Sequence, residues 1–424
     1  MLIVLVLPGL QTVFPVFKMG RLGGYAERAP YPEFSWSKLL DSSYQLALEK
    51  YTEDRLGFRV LLIRLRNQVA FSFFNTSKAN KVLIGKDHIF FDEEAIRSYA
   101  GQNYQGEHLV RANVRRLKAV QDTLARRGIL LVFAVAPSKA DFYPEYHPTY
   151  FQRLPHTQSN YTAYVEQMQK KGVNLIDLAA LFQQWKDTVS YPLFTRGGIH
   201  WSGYGITLAA DTLFHYIEQR GHFNLPDYHV TGRTITHDPQ DSDDDITRSL
   251  NLLYRPSEFE MAYPDIKFES PKPGQKKPIM LLVGDSFGWG LIGFYPYIPS
   301  LFSEKTQFWY YNTEVQIGAR SEMPSDKQVK LLDYKAEIVA QDVVLLLFNQ
   351  HNLVSFDYGF TATAYELFFP PTAADQARIQ AIEQKLQQSP AVQDKLWQQA
   401  NANIGTYNQL LHTMALEEYE LQRQ

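Results

Sequence analysis

Apolar positions fall into two rhythms along the chain, and the change between them divides it. Between residues 35 and 74, positions such as Leu40, Tyr44, Leu61, Leu65, Val69 and Phe73 recur at three- and four-residue spacing, which predicts helix. "VLIGKDHIFF" then predicts two short strands around a Gly85-Lys86-Asp87-His88 turn. From about residue 110 short continuous apolar runs alternate with amphipathic segments. "NVRRLKAVQDTLARRG" puts Val114, Leu117, Val120 and Leu124 on one helical face and stops at Gly128. "ILLVFAVA" follows as a buried strand. The helix "NYTAYVEQMQKKG" leads to the strand "VNLIDL", and "SGYGITLAADTLFHYIEQRG" is a further helix. "PIMLLV", "QFWYYN" and "DVVLLLFN" are strands, with "KQVKLLDYKAEIVAQ" helical between the last two.

Strands that are apolar throughout belong inside a sheet covered on both faces, and such sheets are parallel. The expected fold is therefore α/β: a parallel sheet with helices on both faces, preceded by an N-terminal helical segment. Ligands of such sheets gather at the C-terminal strand ends. The expected organisation is an N-terminal membrane anchor or uncleaved signal over 1–20, a helical lead-in over 21–80, the α/β domain over 81–370, and a Gln-rich helical tail over 371–424 divided by Pro390. No internal repeat is evident.

Composition narrows the function classes. A net charge of -3 without a basic block argues against nucleic acid, and the absence of cysteine excludes disulfides and thiolate metal sites. "MLIVLVLPGLQTVFPVF" carries no charge before Lys18 but is interrupted by Pro8 and Pro15. It is shorter than the ~20 residues of a full span and reads either as a buried helix or as an uncleaved anchor. We take the anchor, with the remainder outside the cytoplasm. In "HDPQDSDDDI", Asp241, Asp243 and Asp245 have the first spacings of a calcium loop. Ile246 stands where that loop needs glycine and Leu252 where it needs glutamate, so the segment reads as a solvated loop or helix start and no metal is expected.

One strand ends in an unusual way. "PIMLLVGDSFGWG" places Ser286 at the end of an apolar run, before an expected helix whose first amides would stabilise an oxyanion. Ser286 is either a helix cap or a nucleophile, and a nucleophile needs a base. His200 in "RGGIHWSGYG", at a tight turn with Ser202 as the cap of the next helix, is the best candidate. His351 also follows a strand. Asn349, ending "DVVLLLFN", is a candidate oxyanion donor. Lys139 and Tyr143 follow another strand and are candidate substrate binders. Trp201 and Trp289 flank the catalytic pair, as sugar-stacking surfaces if exposed and as core if buried.

Taken in order, "YTEDRLGFR", "VLIGKDHIFF", "APSKADFYPE", "GGIHWSGYG" and "VGDSFGWG" resemble successive motifs of the alginate O-acetyltransferase AlgX/AlgJ family. The family is SGNH-hydrolase-like, with a permuted order in which the histidine precedes the serine. The resemblance covers about residues 40 to 355. It implies Ser286 as nucleophile, His200 as general base, a polysaccharide acceptor, no cofactor, a membrane-bound O-acyltransferase partner, and a periplasmic location anchored to the inner membrane. The family's orienting aspartate, two residues before the histidine, is replaced by Gly198; Gly197 fills the Asp-x-x-His position of ordinary SGNH enzymes. Three arrangements are open: a carboxylate from elsewhere (Asp177, Asp211 or Asp285), a Ser–His dyad held by a backbone carbonyl, or a degenerate site. The function expected is O-acetyl transfer to a polysaccharide, with an acetylesterase or an inactive scaffold of an export complex as rivals.

Overall fold

The uninterrupted apolar runs become the middle of one sheet. The computed structural model describes residues 2–18, 20–24, 28–316, 328–401 and 406–422. Met1 and Met19 of the expected anchor, and Lys327 of the expected 327–341 helix, lie outside the described residues.

The strands, in chain order, are β1 (Val82–Ile84), β2 (Phe90–Asp92), β3 (Leu130–Ala136), β4 (Leu175–Asp177), β5 (Tyr228–Thr236), β6 (Met261–Phe268), β7 (Met280–Gly284), β8 (Gln307–Tyr310), β9 (Glu314–Gln316) and β10 (Val343–Asn349). Six of them form the central sheet in the order β4-β3-β10-β7-β8-β9. Every pairing in it is parallel except β8 with β9.

Side chains alternate across the pleat. Val132, Leu282, Leu345 and Leu347 face the helix Gly203–Gly221. Leu131, Phe133, Val283 and Leu346 face the helices Glu107–Ala125 and Asn160–Lys171. The architecture is thus the expected α/β layering, with helices before it at Trp36–Leu40, Ser43–Arg55 and Arg59–Phe74.

The structure departs from expectation in two stretches. The expected 327–341 helix is a 3-10 turn at Val329–Leu331 and a short helix Tyr334–Val339, which Asp333 caps through its bond from the Ala336 amide. Outside the central sheet, β5 and β6 pair antiparallel as a ribbon that the apolar pattern did not announce. β5 is exposed along most of its length, so hydrophobic alternation had nothing to report. The segment between its two arms, residues 237 to 260, returns to the sheet's C-terminal edge. Near the N-terminus the helix Leu2–Val13 has 12 residues, and no helix among the described residues is long and apolar enough to cross a membrane.

His147 gives the fold a pH dependence. It is 2% exposed, with Nε2 2.9 Å from the Ala140 carbonyl, and burial lowers its pKa to about 4. Between the ordinary imidazole value of about 6.5 and this lowered value, the unfolded chain takes up a proton that the folded chain refuses. Stability is therefore expected to fall by about 3 kcal/mol as pH drops through that window. His147→Gln should remove that slope in denaturant unfolding curves followed across it.

Candidate active site

Three strands deliver their C-terminal ends to one edge. β7 ends at Gly284, β10 at Asn349, and β3 runs into Pro137-Ser138-Lys139. Gly284 is required where β7 crosses β10, because a Cβ there would meet the Leu347 carbonyl oxygen at 2.5 Å. Asp285 is fully buried and locks the two strand ends together. Its carboxylate accepts from the Phe287 amide at 3.0 Å, the Asn349 amide at 2.7 Å and Asn352 Nδ2 at 2.7 Å. Ser286 opens the 3-10 helix Ser286–Leu291 and is partly exposed.

His200 arrives on the loop before the helix Gly203–Gly221, whose first turn is capped by Ser202. Ser286 Oγ and His200 Nε2 are 2.8 Å apart. His200 Nδ1 is 2.7 Å from Asp245 Oδ2, at the start of the helix Asp245–Leu250. The pair is largely shielded, with His200 and Asp245 side chains 16% and 25% exposed. Asp245 Oδ1 accepts from the Ile199 amide at 2.9 Å and the Ile246 amide at 2.7 Å. Burial alone would raise this carboxyl, but the adjoining imidazole and these hydrogen bonds outweigh it and hold it below the usual range. A serine donating to an imidazole that donates to a carboxylate is the arrangement that activates a hydroxyl nucleophile.

The carboxylate that meets His200 therefore comes from the acidic run read above as a solvated loop or helix start. The three aspartates with calcium-like spacing diverge: Asp241 is exposed, Asp243 is buried and accepts from the Tyr263 hydroxyl at 2.8 Å, and Asp245 meets His200. No cluster fit to hold a metal occurs among the described residues. The alternatives named from sequence are engaged elsewhere. Asp177 accepts from the Ala180 amide at 2.9 Å, beginning another helix, and from the Tyr161 hydroxyl. Asp211 sits on an exposed helix face, and Asp285 serves the strand ends.

Gly197 and Gly198 explain why the family's position is vacant. A Cβ at Gly198 would lie 2.6 Å from Thr195 Oγ1 and 2.8 Å from the Asp243 carbonyl oxygen. The 237–260 segment packs so closely that it leaves no room for a carboxylate there, and supplies one itself. It also anchors the loop: Glu258 accepts from the Arg196 and Gly197 amides, and the Thr247 amide donates to the Gly197 carbonyl at 3.0 Å.

The candidate binding residues take other positions. Lys139 is 3% exposed, and its ammonium donates to the Arg196 and Gly198 carbonyls, both at 2.8 Å. Burial lowers it to about 7, with Glu258 and Asp245 pulling the other way. It holds up the histidine loop and does not face the cleft. Lys139→Met is expected to lower kcat by about tenfold to hundredfold with little change in KM, through a loosened His200. The same substitution leaves the Gly198 carbonyl unpaired, while the Arg196 carbonyl keeps the Phe90 amide at 3.1 Å, and should cost about 1–2 kcal/mol of unfolding free energy.

Asn349 Nδ2 donates to the Pro137 carbonyl at 2.7 Å, and its Oδ1 accepts from the His351 amide, so its amide is committed at the strand end. His351, beside it, keeps its ring 2.7 Å from Asn349 Oδ1, and burial lowers its pKa. Tyr143 packs against Phe142, Tyr146 and Phe194, and burial raises its phenol. Trp201 is fully buried, edge-on to Phe287, and forms the cleft's floor where a sugar cannot stack.

The cleft over Ser286 has a volume of about 430 Å³, with Trp289, Phe294, Tyr310 and Arg248 in its walls. Tyr311 was missed by the sequence reading. It follows β8, its amide donates to the Gly284 carbonyl at 2.8 Å, and its hydroxyl lies near the Ser286 side chain. Burial raises this phenol, keeping it a hydrogen-bond donor. The end of "QFWYYN" at the ligand edge of the sheet was the available signal.

Residues 82–297 match the family described as SGNH hydrolase-like domain, acetyltransferase AlgX. The probable alginate O-acetylase AlgJ of Pseudomonas syringae pv. tomato is 28% identical over 202 residues, 47% of this chain and 49% of the relative. The same-named protein of Pseudomonas aeruginosa is 29% identical over 189 residues, 44% and 46% of the two chains. The matched stretch thus spans about half the length of these relatives. Among solved structures, the O-acetyltransferase domain of Pseudomonas putida AlgJ aligns with a TM-score of 0.42 at 20% identity, covering 68% of this chain and 99% of that one. Pseudomonas aeruginosa AlgX aligns with a TM-score of 0.44 at 15% identity, covering 68% and 66%.

Proposed function

Because the chain belongs to the AlgX-type family of SGNH hydrolase-like domains, matched over half its length, we propose that it is an O-acetyltransferase that esterifies polysaccharide hydroxyls through an acyl-serine. The observation that carries this reading is the continuous hydrogen-bonded chain Ser286–His200–Asp245, with links of 2.8 and 2.7 Å, beside an open cleft. His200 Nε2 takes the Ser286 proton as Oγ attacks the acetyl carbon of the donor. The tetrahedral oxyanion is met by the Ser286 amide and the Tyr311 hydroxyl. It collapses with expulsion of the leaving group, which takes the proton from His200 and leaves acetyl-Ser286. A sugar hydroxyl then gives its proton to His200 and attacks the same carbon; the bond to Ser286 Oγ breaks, Oγ takes the proton back from His200, and the acetylated sugar leaves. Asp245 holds the neutral imidazole in the tautomer that accepts at Nε2 and stabilises the imidazolium between the proton transfers.

The names of the relatives, alginate O-acetylases, support a polysaccharide acceptor, and Trp289, Phe294 and Tyr310 offer ring faces for sugars in the cleft walls. In this reading the chain works outside the cytoplasm, held at the inner membrane by its N-terminal segment. Its acetyl groups come from a membrane-embedded acyltransferase partner. The test is turnover of an activated acetyl ester with and without an oligosaccharide bearing free hydroxyls. Acceptor-dependent turnover with acetylated sugar as product is expected. Acetate release indifferent to the acceptor would make the protein an esterase, and no reaction with Ser286 would make it a scaffold.

A further inference from the structure

The helix Arg59–Phe74 leaves an apolar stripe uncovered although the helix is already seated. Leu61, Leu65, Val69 and Phe73 recur every four residues and are 41%, 49%, 40% and 79% exposed. Its opposite face is committed: Asn67 Nδ2 donates to the Leu250 carbonyl at 2.8 Å, Ala70 is buried, and Phe71 packs on His88 and Phe90. The stripe continues onto the helix Leu2–Val13. The Gly57 amide donates to Thr12 Oγ1 at 2.7 Å, the Phe17 and Phe58 rings are 5.8 Å apart, and Leu10, Val13 and Phe14 are exposed. A continuous apolar surface of this kind marks an interaction site.

Charge selects the occupant. From Arg55 to Lys86 the sequence has seven basic residues and no acidic one, although the chain as a whole is at -3. At 3.6 residues per turn, Arg59 and Arg66 border one edge of the stripe and Arg64 the other. An apolar stripe flanked by arginines suits the surface of an anionic bilayer. A second copy would set like charge against like.

We propose that this face docks in the plane of an anionic lipid surface, with Leu61, Leu65, Val69 and Phe73 inserted and Arg64 and Arg66 at the headgroups, Arg59 being paired with Asp54 at 3.1 Å. This deepens the membrane attachment proposed above and is independent of the acyl-transfer chemistry. It has a geometric consequence for the site. Phe71 joins a packed cluster with Ile246 and Ile199, the neighbours of Asp245 and His200, so the docked face and the triad share one rigid contact.

The test uses the full chain with vesicles of phosphatidylcholine alone and of phosphatidylcholine mixed with phosphatidylglycerol. Binding to the mixed vesicles is expected, weakened about hundredfold by Leu65→Asp with Phe73→Asp. Arg64→Gln with Arg66→Gln should weaken it roughly 25-fold on mixed vesicles and leave neutral ones unchanged. All these variants should still form the acetyl adduct on Ser286, which reports that they fold. Wild-type binding by the Leu65/Phe73 variant, with loss only in Leu10→Asp with Phe14→Asp, would overturn the docking face and leave attachment to the first helix. Self-association without lipid, abolished by the Leu65/Phe73 pair and unaccompanied by vesicle binding, would overturn it in favour of a second copy.

Discussion

Ser286→Ala is expected to lower acetyl turnover by about six orders of magnitude, as loss of the nucleophile does in a serine hydrolase. The remaining rate would come from binding and oxyanion stabilisation alone, since the Ser286 amide and the Tyr311 hydroxyl do not depend on Oγ as a nucleophile. The fold should hardly register the change. Ser286 is partly exposed, and the strand-end lock is made by Asp285, so the unfolding midpoint should stay within about 0.5 kcal/mol of wild type. His200→Ala should reach a similar floor, and combining the two should add little, because they act as one unit. An additive double variant would separate their roles.

The second large effect is expected at Asp245. Asp245→Asn should reduce kcat by about four orders of magnitude, the cost of the corresponding change in a serine-protease triad. An amide nitrogen facing Nδ1 forces the tautomer that carries its proton on Nε2, which then cannot accept from Ser286. Oδ1 can still accept from the Ile199 and Ile246 amides, so the loop should remain placed and KM should move little. Adding Gly198→Asp, which rebuilds the family's own spacing, should not rescue the variant. Its Cβ would sit 2.6 Å from Thr195 Oγ1, a group that already accepts from the Gly198 amide at 2.8 Å. Rescue would mean that the 237–260 segment yields more easily than its contacts indicate.

These residues also mark where the sequence was legible. β3, β7 and β10 declared themselves because burial on both faces demands unbroken apolar runs, and Ser286 was conspicuous as the polar residue that ends one. His200 was found through its motif. Asp245 was not, for a physical reason: a triad acid needs only to reach Nδ1, and Asp245 lies 45 positions beyond His200, past the exposed strand β5. Within the run Asp243-Asp244-Asp245 composition cannot say which carboxylate turns to His200; the Ile199 and Ile246 amides hold Asp245 there. Lys139 misled for a related reason. A lysine after a strand at the ligand edge has the position of a substrate binder, and only the Arg196 and Gly198 carbonyls reveal that it supports the loop. Trp201 beside His200 likewise proved to be floor, while the cleft wall falls to Trp289, Phe294 and Tyr310.

The most direct measurement is the intact mass of the protein quenched soon after mixing with an activated acetyl ester, followed by peptide mapping, for wild type, Ser286→Ala, His200→Ala and Asp245→Asn. The account predicts a single acetyl group on Ser286 in the wild type, none in the first two variants, and slow accumulation in the third. Acetyl on Ser286 at the wild-type rate in Asp245→Asn, or an adduct on another residue, would contradict it.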